Sequence, residues 1–364
     1  MWLQPQPETT TSRTLRRSWQ PPPVGQGGRR QIATDIDRHG PYDLARVHLP
    51  TPARLRSGRR VPRVAQVRHA VTAGDWPSIA AFFSLPATQA DPGLQYAAAW
   101  VVAETAGTGA FLEQQAATET ASTLARTLLA TRLIHVGWGV RTGARAQHVS
   151  RQQFATFHEY LRRAERILIE VTALEPENVT AWTLRLTTAR GLELGQSEAR
   201  RRYDRAAAYA PHNLDAQRQV VQQLCPKWSG SWEAMHTFAR DCMTSAPDGA
   251  LSAAVVAEGH LERWLDLSDK EGAAYLRQPA VQQELVEAAS RSVLHPSFRP
   301  AYGWVLAHNL FAAVFSLAGR YREAAVHFRA VGHLASRFPW AYLGTEAPAF
   351  ERYRAEALQK GAAA

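Results

Sequence analysis

From Val64 onward, apolar residues recur at spacings of three and four, the period of one face of an α-helix. Segments rich in Ala, Leu, Arg and Glu are separated by short Pro, Gly or Asn turns, and runs of alternating β-branched residues are missing. The pattern predicts helices over 64–73, 76–84, 93–105, 109–136, 150–174, 178–193, 196–209, 213–224, 231–245, 250–266, 271–293, 299–318, 321–336 and 346–360. The fold class is therefore all-α.

Within that pattern a small residue followed four positions later by a large apolar one returns periodically. Ala164 with Leu168, Ala199 with Tyr203 and Ala234 with Phe238 are successive steps of 35 residues, as are Ala289 with Val293 and Ala324 with Phe328. The step from Ala234 to Ala289 is 55, which places an insertion near 250–280. Pro176, Pro211, Pro247, Pro300 and Pro339 follow the pairs, where proline stops a helix because it has no N–H for the ladder. A small residue lets two helices cross closely, and the large residue one turn on fills the space between units. This grammar resembles the tetratricopeptide repeat (TPR), best seen in Ala312, Phe315, Gly319, Tyr321, Ala324 and Phe328. The resemblance implies antiparallel helix pairs stacked as a solenoid over 150–364, with 64–149 as an N-terminal helical region containing at most a degenerate unit (Gly74-Asp75-Trp76, Ile79, Phe83).

A narrower resemblance lies in Leu224–Met235 and Glu258–Trp264. The stretch Lys227-Trp228-Ser229-Gly230-Ser231-Trp232, followed by Glu258-Gly259-His260-Leu261-Glu262, is similar to a family of uncharacterised bacterial TPR-like proteins with a Lys-Trp-Gly-Gly-Ser turn and a later Ala-His-Ile-Glu-like stretch. Ser229 replaces the first Gly, and Gly259 replaces the Ala. The likeness spans residues 90–340 and implies a helical fold without an established activity.

Composition adds a tail to this array. Of 364 residues, 45% are hydrophobic and 20% charged, enough to bury a core. The net charge of +10 is uneven: residues 1–63 hold twelve arginines against four acids, together with nine prolines. Such a segment is expected to be disordered and basic, either an electrostatic tether or a solvated leader. Two cysteines, Cys225 and Cys242, exclude a disulfide scaffold and fit a reducing, cytoplasmic setting. Arg16-Arg17 is followed by Ser-Trp-Gln-Pro-Pro-Pro where an export signal needs an apolar stretch. The uncharged run Ala301–Gly319 reads as a buried helix rather than a membrane span.

Candidate chemistry is sparse. The thirteen histidines form no H-E-x-x-H motif, and the two cysteines have no neighbouring histidine that would make a thiolate nucleophile, so no catalytic, cofactor or metal-binding residues are assigned. Glu258 and Glu262 share a helical face while His260 points elsewhere, so they do not form a chelate. Gly137-Trp138-Gly139-Val140-Arg141-Thr142-Gly143 reads as a glycine-spaced loop but joins no strand to a helix, which excludes a dinucleotide cradle. In the Lys227–Trp232 turn, Pro226 ends a helix, Gly230 supplies an unusual backbone angle and Ser231 is an N-cap. Lys227, Trp228, Ser229, Ser231, Trp232, Glu258, His260 and Glu262 form the candidate binding surface. The favoured function is a non-enzymatic scaffold or adaptor that holds a partner peptide or protein in a helical-repeat groove. The alternative is a ligand-binding protein or enzyme with a polar pocket at those same residues.

Because the net charge outside the tail is only +2, nucleic-acid contact is expected to be weak, non-specific and confined to the tail. Fluorescence anisotropy should show the full chain binding DNA or RNA only at low salt, and residues 64–364 not binding at physiological salt. Tight, salt-resistant binding by the shorter chain would reverse this assignment.

Overall fold

The protein is described by a computed structural model covering residues 64–119, 121–142 and 148–363; the expectations for the basic tail lie outside these residues. The described residues form eighteen α-helices and no strand. In order these are α1 (Val64–Thr72), α2 (Trp76–Ser84), α3 (Pro86–Gln89), α4 (Pro92–Glu104), α5 (Thr108–Thr118), α6 (Thr123–Arg141), α7 (Arg151–Leu174), α8 (Val179–Gly191) and α9 (Gln196–Tyr209). There follow α10 (Leu214–Leu224), α11 (Trp232–Ser245), α12 (Ala254–Asp266), α13 (Asp269–Leu276), α14 (Pro279–Arg291), α15 (Trp304–Leu317), α16 (Tyr321–Val331), α17 (Arg337–Trp340) and α18 (Glu346–Ala363). No described helix is long and apolar enough to cross a membrane.

Side-chain caps start many of these helices. Asp75, Asp91, Ser122, Asn178, Asn213 and Ser231 each accept a hydrogen bond from the backbone N–H three residues on, while Ser150 with Gln153 and Ser268 with Glu271 form reciprocal capping boxes. Two turns repeat atom for atom at the 35-residue step. Asn178 and Asn213 cap α8 and α10, each two residues after a proline. The side chain six residues after each proline donates to that proline's carbonyl: Trp182 Nε1 to Pro176 at 2.8 Å and Gln217 Nε2 to Pro211 at 3.3 Å.

Sequence neighbours α6 and α7, α8 and α9, α10 and α11, and α15 and α16 pack together. Alternate helices also touch, in the series α4, α6, α8, α10, α12, α15. Two hydrophobic cores result, one from α1 to α8 and one from α8 to α18, with Ala181 and Leu184 facing the first and Trp182 and Leu186 the second. Every residue of α8 is consequently buried. Close approach requires glycine at its C-terminal end, where a Cβ on Gly191 would lie 2.3 Å from Leu161 Cδ1.

Several expectations are corrected. The 109–136 helix is two, α5 and α6, because Ser122 caps a new start; the 271–293 helix is likewise α13 and α14, with Pro279 opening the second. The insertion between the two sets of periodic pairs contains α13. Gly137 and Gly139 are not in a loop but inside α6, where Gly137 lets α6 approach Tyr160 of α7. Ala164, Ala199, Ala289 and Ala324 are buried as the pairing needs, whereas Ala234 is exposed and Met235 faces inward. The small residue has moved across the contact: a Cβ on Gly259 of α12 would sit 2.6 Å from Met235 Sδ.

α15 and α16 bury two histidines among aromatic rings. His308 Nδ1 and His327 Nδ1 are 3.0 Å apart, with Phe298 and Trp304 packed edge-on to His308 and Phe311 and Phe315 stacked on His327. Burial lowers the His308 pKa to about 4, and burial with the neighbouring His308 lowers His327 as well. The unfolded chain therefore takes up these protons first. The His308 contribution to stability is complete above pH 6.5 and is lost as pH falls toward 4, and that of His327 has the same sign. Asp215, raised by burial to about 7, has the opposite slope, so the wild-type curve is a sum of both. Urea unfolding at pH 7 and pH 4.5 should show His308→Gln losing about 2–3 kcal/mol less on acidification than wild type. Equal losses would remove the histidine pair as the source of acid sensitivity.

Candidate functional site

The Lys227–Trp232 turn joins α10 to α11. Cys225 ends α10, Pro226–Trp228 form a single 3₁₀ turn, and Ser231 Oγ accepts from Ala234 N–H at 3.1 Å, as the N-cap reading requires. The unusual backbone angle belongs to Ser229 (φ 65°, ψ 22°) and not to Gly230. Gly230 is needed for space, since a Cβ there would fall 2.0 Å from the Leu224 carbonyl oxygen. The Trp228 carbonyl accepts from Gln196 Nε2 at 3.0 Å, which ties the turn to α9.

The two indoles of the turn diverge. Trp228 packs on the first core, edge-on to Trp138 at 6.0 Å, with the guanidinium groups of Arg141 and Arg190 5.7 and 5.8 Å from its ring. Trp232 packs on the second core under Arg263, 5.0 Å from its ring. They face different cores.

Glu258 and Glu262 emerge from the same face of α12, one turn apart, onto α10. Arg218 Nε donates to Glu258 Oε2 at 2.5 Å, and Gln222 Nε2 donates to Glu262 Oε1 at 2.5 Å. Lys227 Nζ reaches Glu262 Oε2 at 2.7 Å, so the turn and the α12 acids belong to one network. Glu258 is fully buried, and burial raises its pKa against the opposing pull of Arg218. Its Oε1 atom is buried without a hydrogen-bond donor, as is Gln223 Oε1 on α10. The same polar side of α10 continues to Gln219, whose Oε1 accepts from Arg190 at 2.9 Å and from Thr187 at 3.2 Å. Arg218, Gln219, Gln222 and Arg190 were not foreseen as site residues. Arg218 and Gln222 stand one turn apart and each lies 40 residues before its acidic partner, but 40 is not the 35-residue repeat and gives no signal by itself.

The helices that carry these residues are covered at two places. α4 lies across α8 and α10, and the segment at α17 crosses the other end, with the Phe338 ring 5.3 Å from the Arg218 guanidinium. What stays accessible is the mouth of the network. Lys227 keeps 48% of its side chain exposed and Tyr342 is 38% exposed, within electrostatic reach of Lys227 and Glu262. His260 is on the opposite side of α12, bonded to Tyr275 and Glu284. Among the described residues a separate cleft of about 390 Å³ lies between α5, α6 and α7, crossed by the ion pairs Arg163–Glu113 and Arg126–Glu170 and remote from the predicted site.

Comparison with known proteins finds no matching family model, no similar curated protein and no similar solved structure.

Relieving Ser229 tests the turn. A non-glycine residue in the left-handed region costs about 1 kcal/mol, so Ser229→Gly should raise stability by roughly 0.5–1 kcal/mol, while Gly230→Ala should lower it by about 2 kcal/mol or more. Chemical denaturation of both variants checks the pair, and a destabilised Ser229→Gly would contradict the account.

Proposed function

We propose that the protein is a non-enzymatic binding module of TPR-like helix pairs, which captures a segment of a partner protein at the mouth between the Lys227–Trp232 turn and Tyr342. The carrying observation is the row of polar pairs Arg190–Gln219, Arg218–Glu258 and Gln222–Glu262–Lys227, the last of which ends at exposed Lys227 beside partly exposed Trp228 and Tyr342. A peptide offers carbonyl and carboxylate oxygens to the Lys227 ammonium and apolar side chains to the Trp228 and Tyr342 rings. Within the turn, Trp228 flanked by two guanidinium groups offers the aromatic and arginine composition that dominates binding hot spots. The array's repeated Pro-x-Asn turns support the helix-pair reading.

One observation favours the alternative of a small-ligand or catalytic pocket. Asp215, on the same helix as Arg218, is buried and raised to about 7, the range in which a carboxyl group exchanges protons at neutral pH.

A displayed random-peptide library separates the two. Selected peptides should bind with micromolar affinity, slow amide exchange in α10, α12 and the 226–231 turn, and lose at least fivefold on Lys227→Ala or Tyr342→Ala. Protection confined to other helices, or no selectable peptide at all, would transfer support to the pocket reading.

A further inference from the structure

Four helices of the insertion region direct polar side chains at one another on the side of α12 away from the ladder. His260 of α12 places Nδ1 2.6 Å from the Tyr275 hydroxyl of α13, and His236 of α11 places Nε2 3.2 Å from the same oxygen. The far nitrogen of His260, Nε2, faces Glu284 Oε2 of α14 at 3.1 Å, and the other Glu284 oxygen accepts from Arg240 Nε at 2.7 Å. The rings of His236 and His260 are 4.7 Å apart, an approach that depends on Gly259, where a Cβ would lie 3.7 Å from His236 Nδ1 and collide with Met235.

We propose that His236 Nε2, His260 Nδ1 and the Tyr275 oxygen form a binding site for a divalent late transition-metal ion of the zinc–copper class. Imidazole nitrogen with a hard oxygen is the donor set these ions favour. Among the described residues no three His, Cys, Asp or Glu side chains converge as metal donors; here the third donor is a phenol. Two nitrogens and an oxygen each about 2.0–2.1 Å from a tetrahedral ion lie roughly 3.3 Å from one another. The His236–Tyr275 separation already meets this, and the shorter His260–Tyr275 contact opens once its proton is gone. Glu284 stands where an outer carboxylate fixes the tautomer of a metal-bound histidine: it holds the proton on Nε2 and leaves the Nδ1 lone pair for the ion.

The ion has to displace a phenolic proton that burial of Tyr275 holds more tightly than water does. Two cations face the group: Arg240 is paired with Glu284, and Arg263 is turned onto the Trp232 ring. Binding exchanges the phenolic proton of Tyr275 for the ion, with the proton released to solvent. The fourth tetrahedral position is left for water or a ligand.

Tag-free, full-length apoprotein titrated with Co²⁺ tests the site. Wild type should bind one Co²⁺ per chain, with a visible absorption band and release of about one proton, and Zn²⁺ should displace the band. Tyr275→Phe should bind at least tenfold more weakly without proton release, Glu284→Gln should weaken binding about 10–100-fold, and replacement of the exposed His69 by Gln should change nothing. Circular dichroism reports whether each variant is folded, and His236→Asn gives the same readout should Tyr275→Phe not fold. Absence of 1:1 binding by wild type, or undiminished binding by folded Tyr275→Phe or His236→Asn, overturns the proposal.

Discussion

One buried carboxylate holds the two cores in register. Glu165 of α7 accepts from Arg185 of α8 through Nε at 3.2 Å and Nη2 at 2.9 Å, and from Arg202 of α9 at 2.9–3.0 Å, while Thr188 of α8 donates to its second oxygen at 2.5 Å. Arg202 is completed by Glu198 at 2.7 Å, and Arg185 by the Thr172 hydroxyl at 2.8 Å and the Trp182 ring at 4.8 Å. Glu198 also accepts two bonds from the more exposed Arg201, so two carboxylates serve three guanidinium groups, and the donors of Arg185 and Arg202 are shared among three helices. A buried charge is tolerated only when paired and hydrogen-bonded, and removing one partner of such a set costs about 3–5 kcal/mol. α8 is buried along its whole length, so its arginines had to find partners inside the protein.

That constraint explains why the inner helices carry so many polar groups. An α8 shared by two cores packs against both α4 and α10, and the chain returns over α10 at α17, where the Phe338 ring meets Arg218. Each polar side chain on these helices then has to be answered by the next helix, which produces the run from Arg190 through Gln219 and, alongside it, from Arg218 through Glu258. The ladder is therefore part of the packing as much as a surface for recognition, and only its end at Lys227 and Tyr342 meets solvent.

Much of this was legible in the sequence where the cause is local. The helix at 76–84 and that at 196–209 match residue for residue, and Ser231 caps α11 as its position before Glu233 indicates. Pro176 and Pro211 sit in turns and Pro247 and Pro300 between helices, where the backbone demands a break, whereas Pro339 lies inside the short helix α17. The misreadings come from spatial causes. Which residue of the pair Ser229-Gly230 takes the left-handed angle is decided by the Leu224 carbonyl pressed against Gly230, and the exposure of Ala234 is decided by Gly259 twenty-five residues on. For the site, the i,i+4 spacing placed Glu258 and Glu262 together and His260 apart, as observed. Their partners were hidden because Arg218 and Gln222 sit on a helix whose distance in sequence reflects the 3₁₀ turns at 226–228 and 251–253 rather than the repeat.

α12 shows how two polar clusters can share one buried helix without interfering. Successive residues turn by about 100°, so His260 is rotated some 200° from Glu258 and again from Glu262. The acids consequently meet α10, while the histidine meets α11, α13 and α14. Each cluster is also closed in charge: Arg218 and Lys227 answer Glu258 and Glu262 on one side, and Arg240 answers Glu284 on the other. Neither set needs the other for neutrality, which matters at short range in a medium of low dielectric. The helix between them is lined by Val255, Val256, Ala257 and Leu261, all fully buried, and this apolar partition keeps the two electrostatic environments separate.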